Sequence, residues 1–236
     1  MFRSNFKLFG YKSAMRRILK LVLLLVVLVL IVLFAYGGKG YWDATQNAAS
    51  LRTRADTLIV QGHGGGNLGA GRLDQLLLVQ DPAFYTHAGV DLTTTGAGAT
   101  TITQSLSKRL AFSDFKPGFG KIRQTGYAFG LEHTLTKDQI LAIWLDTVEM
   151  GQGPDDWMTG FFNASEALYD APPAEISDRQ FLGLIAVMIA PSRYDLQRPD
   201  AALLTRIDRI ERLIAGQCSP SGHHDVWLEG CESGAL

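Results

Sequence analysis

A long hydrophobic stretch near the N-terminus dominates the pattern of apolar and polar positions. No charged residue interrupts the run from Leu21 to Tyr36, and Ile18, Leu19 and Lys20 extend it to about the 20 residues that span a bilayer. The residues that precede the run include basic ones and no acidic one: Arg3, Lys7, Lys12, Arg16, Arg17 and Lys20. The positive-inside rule therefore predicts a single-pass anchor with a cytoplasmic N-terminus and an extracytoplasmic domain.

A cleaved signal peptide is the alternative to this anchor. The apolar run is longer than the apolar core of a typical signal peptide, and no clear small-residue cleavage site follows it. A retained membrane anchor is therefore the preferred interpretation.

Beyond the anchor, apolar positions recur with helical spacing from about Leu73 onward. Two capping boxes, at 136–139 and 177–180, each precede such a stretch and predict helix starts. The second of these helices is apolar nearly all round, so we expect it in the core or against lipid, ending before Pro191. A last helix is predicted from 199 to 215. Sustained strand alternation is missing, and the predicted fold class is mainly α.

These patterns divide the chain into segments of different character. They are a basic cytoplasmic stub (1–17), the transmembrane anchor (18–37), a stalk with a glycine-rich linker (38–72), the helical domain (73–215) and a C-terminal tail (216–236). The glycine-rich residues 61–71 could cradle a phosphate through backbone amides, but they lack the Lys-Ser/Thr pair of a P-loop. A flexible linker is the preferred interpretation.

Charge and cysteine content narrow the possible partners. The formal net charge of −1 gives no reason to expect nucleic acid as a partner. Cys218 and Cys231 both lie in the tail, and an extracytoplasmic location allows a disulfide between them. His223 and His224 lie between the two cysteines and raise the alternative of a metal site. The spacing of these residues fits no standard zinc pattern, so the disulfide is preferred.

Two segments carry the most chemical information. Residues 80–91 read Gln-Asp-Pro-Ala-Phe-Tyr-Thr-His-Ala-Gly-Val-Asp, and residues 99–108 read Ala-Thr-Thr-Ile-Thr-Gln-Ser-Leu-Ser-Lys. They resemble the first two motifs of the family 51 glycosyltransferases, membrane-bound enzymes that polymerise the peptidoglycan precursor lipid II. In that family the first motif reads Glu-Asp-x-x-Phe-x-x-His-x-Gly-x-Asp, and its Glu is the catalytic base. Gln80 stands at that position here.

The resemblance continues in family order through most of the domain. Residues 121–124, 131–141 and 190–195 resemble later motifs, although Gly120 and Gln124 replace an Arg and the second family Glu. Trp144-Leu145-Asp146 stands where the family has Tyr-Leu-Asn. The resemblance implies the lysozyme-like helical fold of these enzymes.

The family reaction implies roles for several residues of this chain. A sugar hydroxyl attacks a second lipid-linked sugar, whose lipid pyrophosphate leaves, so a base and cations are needed. The resemblance places substrate or pyrophosphate binding at Lys108, Lys121, Thr101, Gln104 and His87. It also implies a bacterial inner-membrane location and allows a divalent cation, Mg²⁺ or Mn²⁺. The implied partners are lipid II or a glycan strand, the membrane and cell-wall synthases.

The catalytic positions differ most from the family pattern. Gln80 and Gln124 replace both glutamates, and Ser105 and Arg109 replace a Gln and an Asn in the second motif. An amide cannot accept a proton, and loss of a general base typically costs about 10²–10⁴ in rate. Asp81 keeps its own place in the first motif.

Three hypotheses follow from these substitutions. The first is a degenerate relative that binds precursor, glycan or a synthase without polymerising. The second is an active monofunctional transglycosylase that uses another base, such as Asp81 or Glu149. The third, an engineered variant that traps its substrate, fits poorly with the additional scattered departures from the family pattern.

Overall fold

The computed structural model describes residues 5–232, and the side chains of residues 15–232. The fold is mainly α, as the sequence predicts. Its helices are α1 (Asn5–Val60), α2 (Arg72–Gln80), α3 (Ile102–Ala111), α4 (Phe119–Thr134), α5 (Lys137–Thr147), α6 (Phe161–Tyr169), α7 (Asp178–Val187) and α8 (Ala201–Ile214). An antiparallel hairpin, β1 (Glu149–Gln152) and β2 (Trp157–Thr159), follows α5.

Helix α1 combines a membrane-type segment with a segment that belongs to the domain. Its most apolar window has a mean hydropathy of 3.4 and no buried residue, and the helix is long and apolar enough to cross a membrane. Further along, Ala44, Leu51, Ala55 and Leu58 are buried in the core. Residues 38–60, the first part of the predicted stalk and linker, therefore continue the helix and pack against α4 and α5. The start of the predicted stub, residues 1–4, lies outside the described residues.

Glycines bring the backbones of α1 and α4 into contact. A Cβ at Gly126 would lie 1.9 Å from the carbonyl oxygen of Gly37, and one at Gly40 would lie 2.2 Å from that of Arg123. A Cβ at Gly130 would meet Ala44 at 2.6 Å. Small residues at this spacing on both helices permit a close crossing that any side chain would block. The crossing fixes the domain to the helix at the point where the apolar segment ends.

The starts of α5 and α7 and the burial of α7 agree with the predictions from the sequence. Thr136 and Ser177 each cap their helix with a reciprocal glutamine, as predicted. Helix α7 is buried in the core rather than lipid-exposed, and it ends at Val187, before the predicted stop, because the chain turns over the next residues. The last helix starts two residues later than predicted, at Ala201, with Asp200 as its cap.

Two regions differ from expectation because short-range patterns do not reveal them. The glycine-rich residues 61–71 are packed rather than a free linker, since Leu68 is fully buried and a Cβ at Gly65 would meet Leu141 at 2.6 Å. The β1–β2 hairpin was missed because its strands are too short, and its register too irregular, to show alternation.

The tail is held to α8 and closed by a disulfide. Cys218 and Cys231 are bonded, with their Cα atoms 5.2 Å apart, which confirms the predicted pairing and removes the thiolates that a metal site would need. Arg206, Arg209 and Arg212 on α8 each donate to a tail carbonyl. The tail is therefore a packed part of the domain up to residue 232, and residues 233–236 lie outside the described residues.

We expect Gly40→Ala to destabilise the helix crossing. The added methyl would collide with the backbone of α4, and such overpacking typically costs about 1–3 kcal/mol. Gly38→Ala is the matched control, because nothing lies within 4 Å of a Cβ there. Thermal unfolding in detergent should show a lower midpoint for Gly40→Ala alone. Equal midpoints for both variants would contradict the close crossing.

We expect Cys218→Ser to loosen the tail and leave the helical core folded. Removing the cross-link should cost about 2–3 kcal/mol in the free energy of unfolding, because the closed loop is short. Limited proteolysis should cut the tail of the variant faster, while far-ultraviolet circular dichroism should stay unchanged. Tail cleavage at the wild-type rate would refute a stabilising role of the cross-link.

Candidate functional site

A cavity of about 410 Å³ lies where the end of α2 faces the loop before α3. Gln80, the last residue of α2, lines it and donates one hydrogen bond of 3.3 Å to the carbonyl of Ile185. Thr100, Thr101 and Ser105 also line the cavity. The side chain of Gln80, the first residue of the first motif, therefore borders a cavity and carries an amide.

Asp81 points away from the cavity and organises the first motif. It is 1% exposed, accepts the backbone N–H of Ile102 at 2.8 Å, and lies 3.0 Å from Nε2 of His87. Nδ1 of His87 accepts the N–H of Gly89, so the proton of the neutral ring lies on Nε2 and is donated to Asp81. Asp81 and His87 thus hold the loop, and neither is among the residues that line the cavity.

Thr101 and Gln104 form the capping box that starts α3. The Thr101 hydroxyl accepts from the N–H of Gln104 and donates to the carbonyl of Gly89, and the Gln104 side chain accepts from the N–H of Thr101. Thr101 also lines the cavity, whereas Gln104 is buried and donates to Thr125. Of the two predicted binding residues, the structure brings Thr101 to the cavity and gives Gln104 a structural role.

The first motif is also tied to the start of α5. Lys137 donates to the carbonyl of His87 at 2.7 Å and to Glu132 at 2.8 Å, and Tyr85 donates to Asp138. Lys137 carries no signal in the sequence that would single it out, because charges in a first helical turn are usually solvated. Its ammonium is instead half-enclosed between the loop and α4.

Lys121 and Lys108 form a cationic pair beside the cavity. Nζ of Lys121 donates to the hydroxyl of Thr100 at 2.9 Å, and burial together with the charge of Lys108 lowers the pKa of Lys121. Neither lysine has a salt bridge to a carboxylate within the described part of the chain. Two cations in this arrangement favour an anionic ligand, which would relieve their repulsion.

Gln124 lies beneath α3 and outside the cavity. Its side-chain N–H donates to the carbonyl of Gln104 at 2.7 Å, and its oxygen is buried without a hydrogen-bond partner. The two substituted glutamate positions therefore have different surroundings: Gln80 borders a cavity, whereas Gln124 is sealed in protein.

Three departures from the family pattern contact one another. Arg109 donates to the hydroxyl of Ser105 at 2.9 Å, and the indole N–H of Trp144 approaches the same hydroxyl at 3.4 Å. Burial lowers the pKa of Arg109 to about 10, while Glu149 raises it. The sequence showed each substitution separately. The spacing of four residues between Ser105 and Arg109 on one helix was the available signal that they meet.

The tail forms one wall of the cavity, which the sequence did not reveal. Gly96 donates its N–H to the carbonyl of Gly222, and Gly98 donates to that of His223. Val226 and the buried Arg206 both line the cavity, and Arg206 donates to the carbonyl of Val226. The disulfide-closed tail therefore holds residues 96–98, in the loop that precedes α3.

The cavity lining does not fit a divalent cation. Mg²⁺ and Mn²⁺ prefer carboxylate oxygens, and among the described residues none that lines the cavity is Asp or Glu. The described residues also contain no cluster of three or more metal-ligating side chains. The chain offers Lys121, Lys108 and Arg206 as the positive charges of this region instead.

The helical domain is similar to proteins of a known family. The transglycosylase family model matches residues 72–214. Penicillin-binding protein 1B of Vibrio cholerae is 28% identical over 155 residues, 60% of this chain and 20% of that protein. Penicillin-binding protein 1B of Escherichia coli is 29% identical over 158 residues, which are 61% of this chain and 19% of that protein. The biosynthetic peptidoglycan transglycosylase of Nitrosomonas eutropha is 27% identical over 144 residues, which are 56% of this chain and 57% of that protein.

The chain spans about a fifth of these penicillin-binding proteins and just over half of this transglycosylase. The family match runs from the first residue of α2 to the last residue of α8, and it contains Gln80, the α3 capping box and the cationic pair. It covers more than half of the chain. The chain therefore belongs to the peptidoglycan transglycosylase family, the family 51 glycosyltransferases, and has their lysozyme-like helical fold.

Proposed function

We propose that this protein is a membrane-anchored peptidoglycan transglycosylase homologue that binds a lipid-linked precursor or glycan strand without polymerising it. The observation that carries the proposal is the cavity itself. Gln80 occupies the base position, and no carboxylate lines the cavity among the described residues. Abstraction of a proton from a sugar hydroxyl needs a basic group within hydrogen-bond reach.

The candidate replacement bases are poorly placed. Both oxygens of Asp81 are engaged by His87, one also accepts the N–H of Ile102, and the residue is 1% exposed. Moving the Asp81 carboxylate into the cavity would break the hydrogen bonds that hold the first motif to α3. Glu149 is exposed at the start of β1 and does not line the cavity. These contacts disfavour an active transferase with Asp81 or Glu149 as its base.

The groups that would bind substrate are better preserved than those that would transform it. Lys108 and Lys121 provide positive charge for a pyrophosphate, and Thr100, whose hydroxyl accepts from Lys121, lines the cavity where a sugar would lie. Interactions that stabilise the ground state lower the dissociation constant without accelerating the reaction. Binding can therefore persist where chemistry has been lost.

The anchor fits this role. The apolar part of α1 continues without a break into the domain, so the cavity stays near the membrane that would supply a lipid-linked ligand. The charge distribution before the apolar run supports an extracytoplasmic domain, and the family resemblance supports an inner-membrane location. Cell-wall synthases are the proposed protein partners, on family resemblance alone.

The decisive experiment measures binding and polymerisation together. Full-length protein in detergent should bind labelled lipid II and release no glycan polymer. Lys121→Ala should weaken binding roughly tenfold, because a charge-assisted hydrogen bond is lost. Lys116→Ala is the control, since that lysine is exposed, pairs with Asp114 and does not line the cavity. Polymer formation by the wild type would overturn the proposal, as would equal binding by both variants.

The two amide positions should respond differently to restoration of glutamate. Gln80→Glu should leave the thermal midpoint nearly unchanged, because its carboxylate can turn into the cavity. Gln124→Glu should lower the midpoint, because a buried carboxylate would face the carbonyl of Gln104 where an N–H now donates. Leaving such a group unsatisfied typically costs about 1–3 kcal/mol, and more for a charge. Equal midpoints would show that Gln124 is not confined as described.

A further inference from the structure

A second polar cavity, of about 340 Å³, lies between α8, the turn after α7 and the disulfide-closed tail. It borders the cavity at Gln80, because Arg206 lines both. Its lining includes three arginines, two aromatic residues and one glutamate: Arg193, Arg206, Arg209, Tyr194, Trp227 and Glu229. We call this second cavity the arginine pocket. The proposed function gives it no role.

One side of α8 forms the floor of the arginine pocket. Ala202, Thr205, Arg206 and Arg209 all line it, and their spacing of three and four residues places them on the same side of the helix. Ala202 and Thr205 are small, so they leave room between the longer arginine side chains. The helix therefore presents guanidinium groups around an open space rather than a filled surface.

The tail forms a wall of the pocket that is held in place by covalent and polar contacts. Trp227 and Glu229 both lie in the loop that the bond between Cys218 and Cys231 closes. The carbonyl of Trp227 accepts from Nη1 of Arg209 at 3.1 Å. A wall fixed in this way loses little conformational freedom when a ligand binds, which favours affinity.

Positive charge in the pocket exceeds negative charge. Arg206 is 3% exposed and donates to two main-chain carbonyls, and it has no salt bridge within residues 15–232. Arg193 is exposed, lies 5.6 Å from the ring centre of Tyr194, and likewise has no carboxylate partner in that part of the chain. Arg209 is paired with Glu232 at 3.2 Å. Two of the three guanidinium groups are therefore available to an anion.

The arginines also repel one another. Burial lowers the pKa of Arg206 to about 10, Tyr194 acts in the opposite direction, and the charge of Arg209 lowers the pKa as well. Asp225 raises it, but the oxygens of Asp225 accept three backbone N–H groups of the tail. Nε of Arg209 is buried without a hydrogen-bond partner. A bound anion would relieve this repulsion.

Glu229 restricts which anion fits. It is exposed, lines the pocket, and forms no salt bridge among the described residues. Its carboxylate would repel a phosphate group, which carries nearly two negative charges and chiefly acceptor oxygens. It can instead accept a hydrogen bond from an N–H group. The carboxyl terminus of a peptide has one negative charge and an amide N–H on the same residue, so it matches both features.

We propose that the arginine pocket binds the free carboxyl terminus of a peptide, with the carboxylate among the arginines and the terminal N–H at Glu229. Guanidinium groups bind carboxylates through paired hydrogen bonds in a fixed geometry. The ring of Trp227 offers apolar surface to the terminal side chain. The assignment goes beyond the proposed function and stands without it, because such a peptide needs neither a lipid nor a sugar.

The test compares two peptides that differ only at the carboxyl terminus. Fluorescein-labelled Gly-Gly-Ala with a free carboxylate should bind the full-length protein in detergent and saturate, as measured by fluorescence anisotropy. The same peptide with a terminal amide should bind at least tenfold more weakly, because the charge-assisted hydrogen bonds are lost. Equal binding of acid and amide, or no saturable binding of the acid, would overturn the proposal. This comparison uses the wild-type protein alone.

Variants locate the binding site. Arg193→Ala should weaken binding of the free acid at least fivefold and leave the thermal midpoint unchanged, because the side chain is exposed. Arg198→Ala is the matched control, since that arginine is also exposed, pairs with Asp195 and does not line the pocket. An equal loss of affinity in both variants would show a general charge effect and refute the pocket as the site.

A third variant tests the role of Glu229. Glu229→Gln should keep peptide binding, because its amide oxygen still accepts an N–H, and should let inorganic phosphate compete at least threefold better. Phosphate that displaces the labelled peptide from the wild type as well as unlabelled peptide does would refute a peptide carboxyl terminus as the ligand. Peptides that end in D-alanine or L-alanine distinguish the sources: tighter binding of the first assigns the pocket to cell-wall peptides, and of the second to protein termini.

Discussion

The buried carboxylate of Asp81 is the interaction on which the arrangement of the cavity depends. It accepts hydrogen bonds from Nε2–H of His87 and from the first N–H of α3, where the positive end of the helix dipole favours an anion. One side chain thus fixes the end of α2, the loop of the first motif and the start of the next helix. Gln80 is held in position by its neighbour and contributes one long hydrogen bond of its own. The arrangement of these elements therefore does not depend on the side chain of Gln80, because the neighbouring Asp81 maintains the geometry.

The sequence predicted features whose causes are local. Capping boxes at Thr136 and Ser177 depend on residues three positions apart, and the disulfide closes a short loop. The continuation of α1 through Gly37, Gly38 and Gly40 could not be read in the same way. Glycine weakens a helix by its intrinsic preference, and here the partner helix decides the outcome by packing against the bare backbone. Tertiary contact thus turned an expected stalk into part of the core.

The candidate site was only partly accessible from the sequence for the same reason. Gln80 and Thr101 line the cavity, but the motifs could not separate these residues from Asp81, His87 and Gln104, whose motif positions look equally functional. Burial and hydrogen bonding make that distinction, and both depend on the folded chain. The tail wall depends on a contact between His223 and Thr94, which lie far apart in sequence and share no motif.

The position of the disulfide has a consequence for when this cavity exists. Cys218 and Cys231 close the segment whose carbonyls receive the N–H groups of Gly96 and Gly98. Thiols stay reduced in the cytosol and form disulfides in oxidising compartments. A chain whose two cysteines are still reduced would consequently have its helices before the tail that forms one wall of the cavity is fixed. The oxidation state of a single cysteine pair therefore sets the moment at which the cavity acquires its last wall.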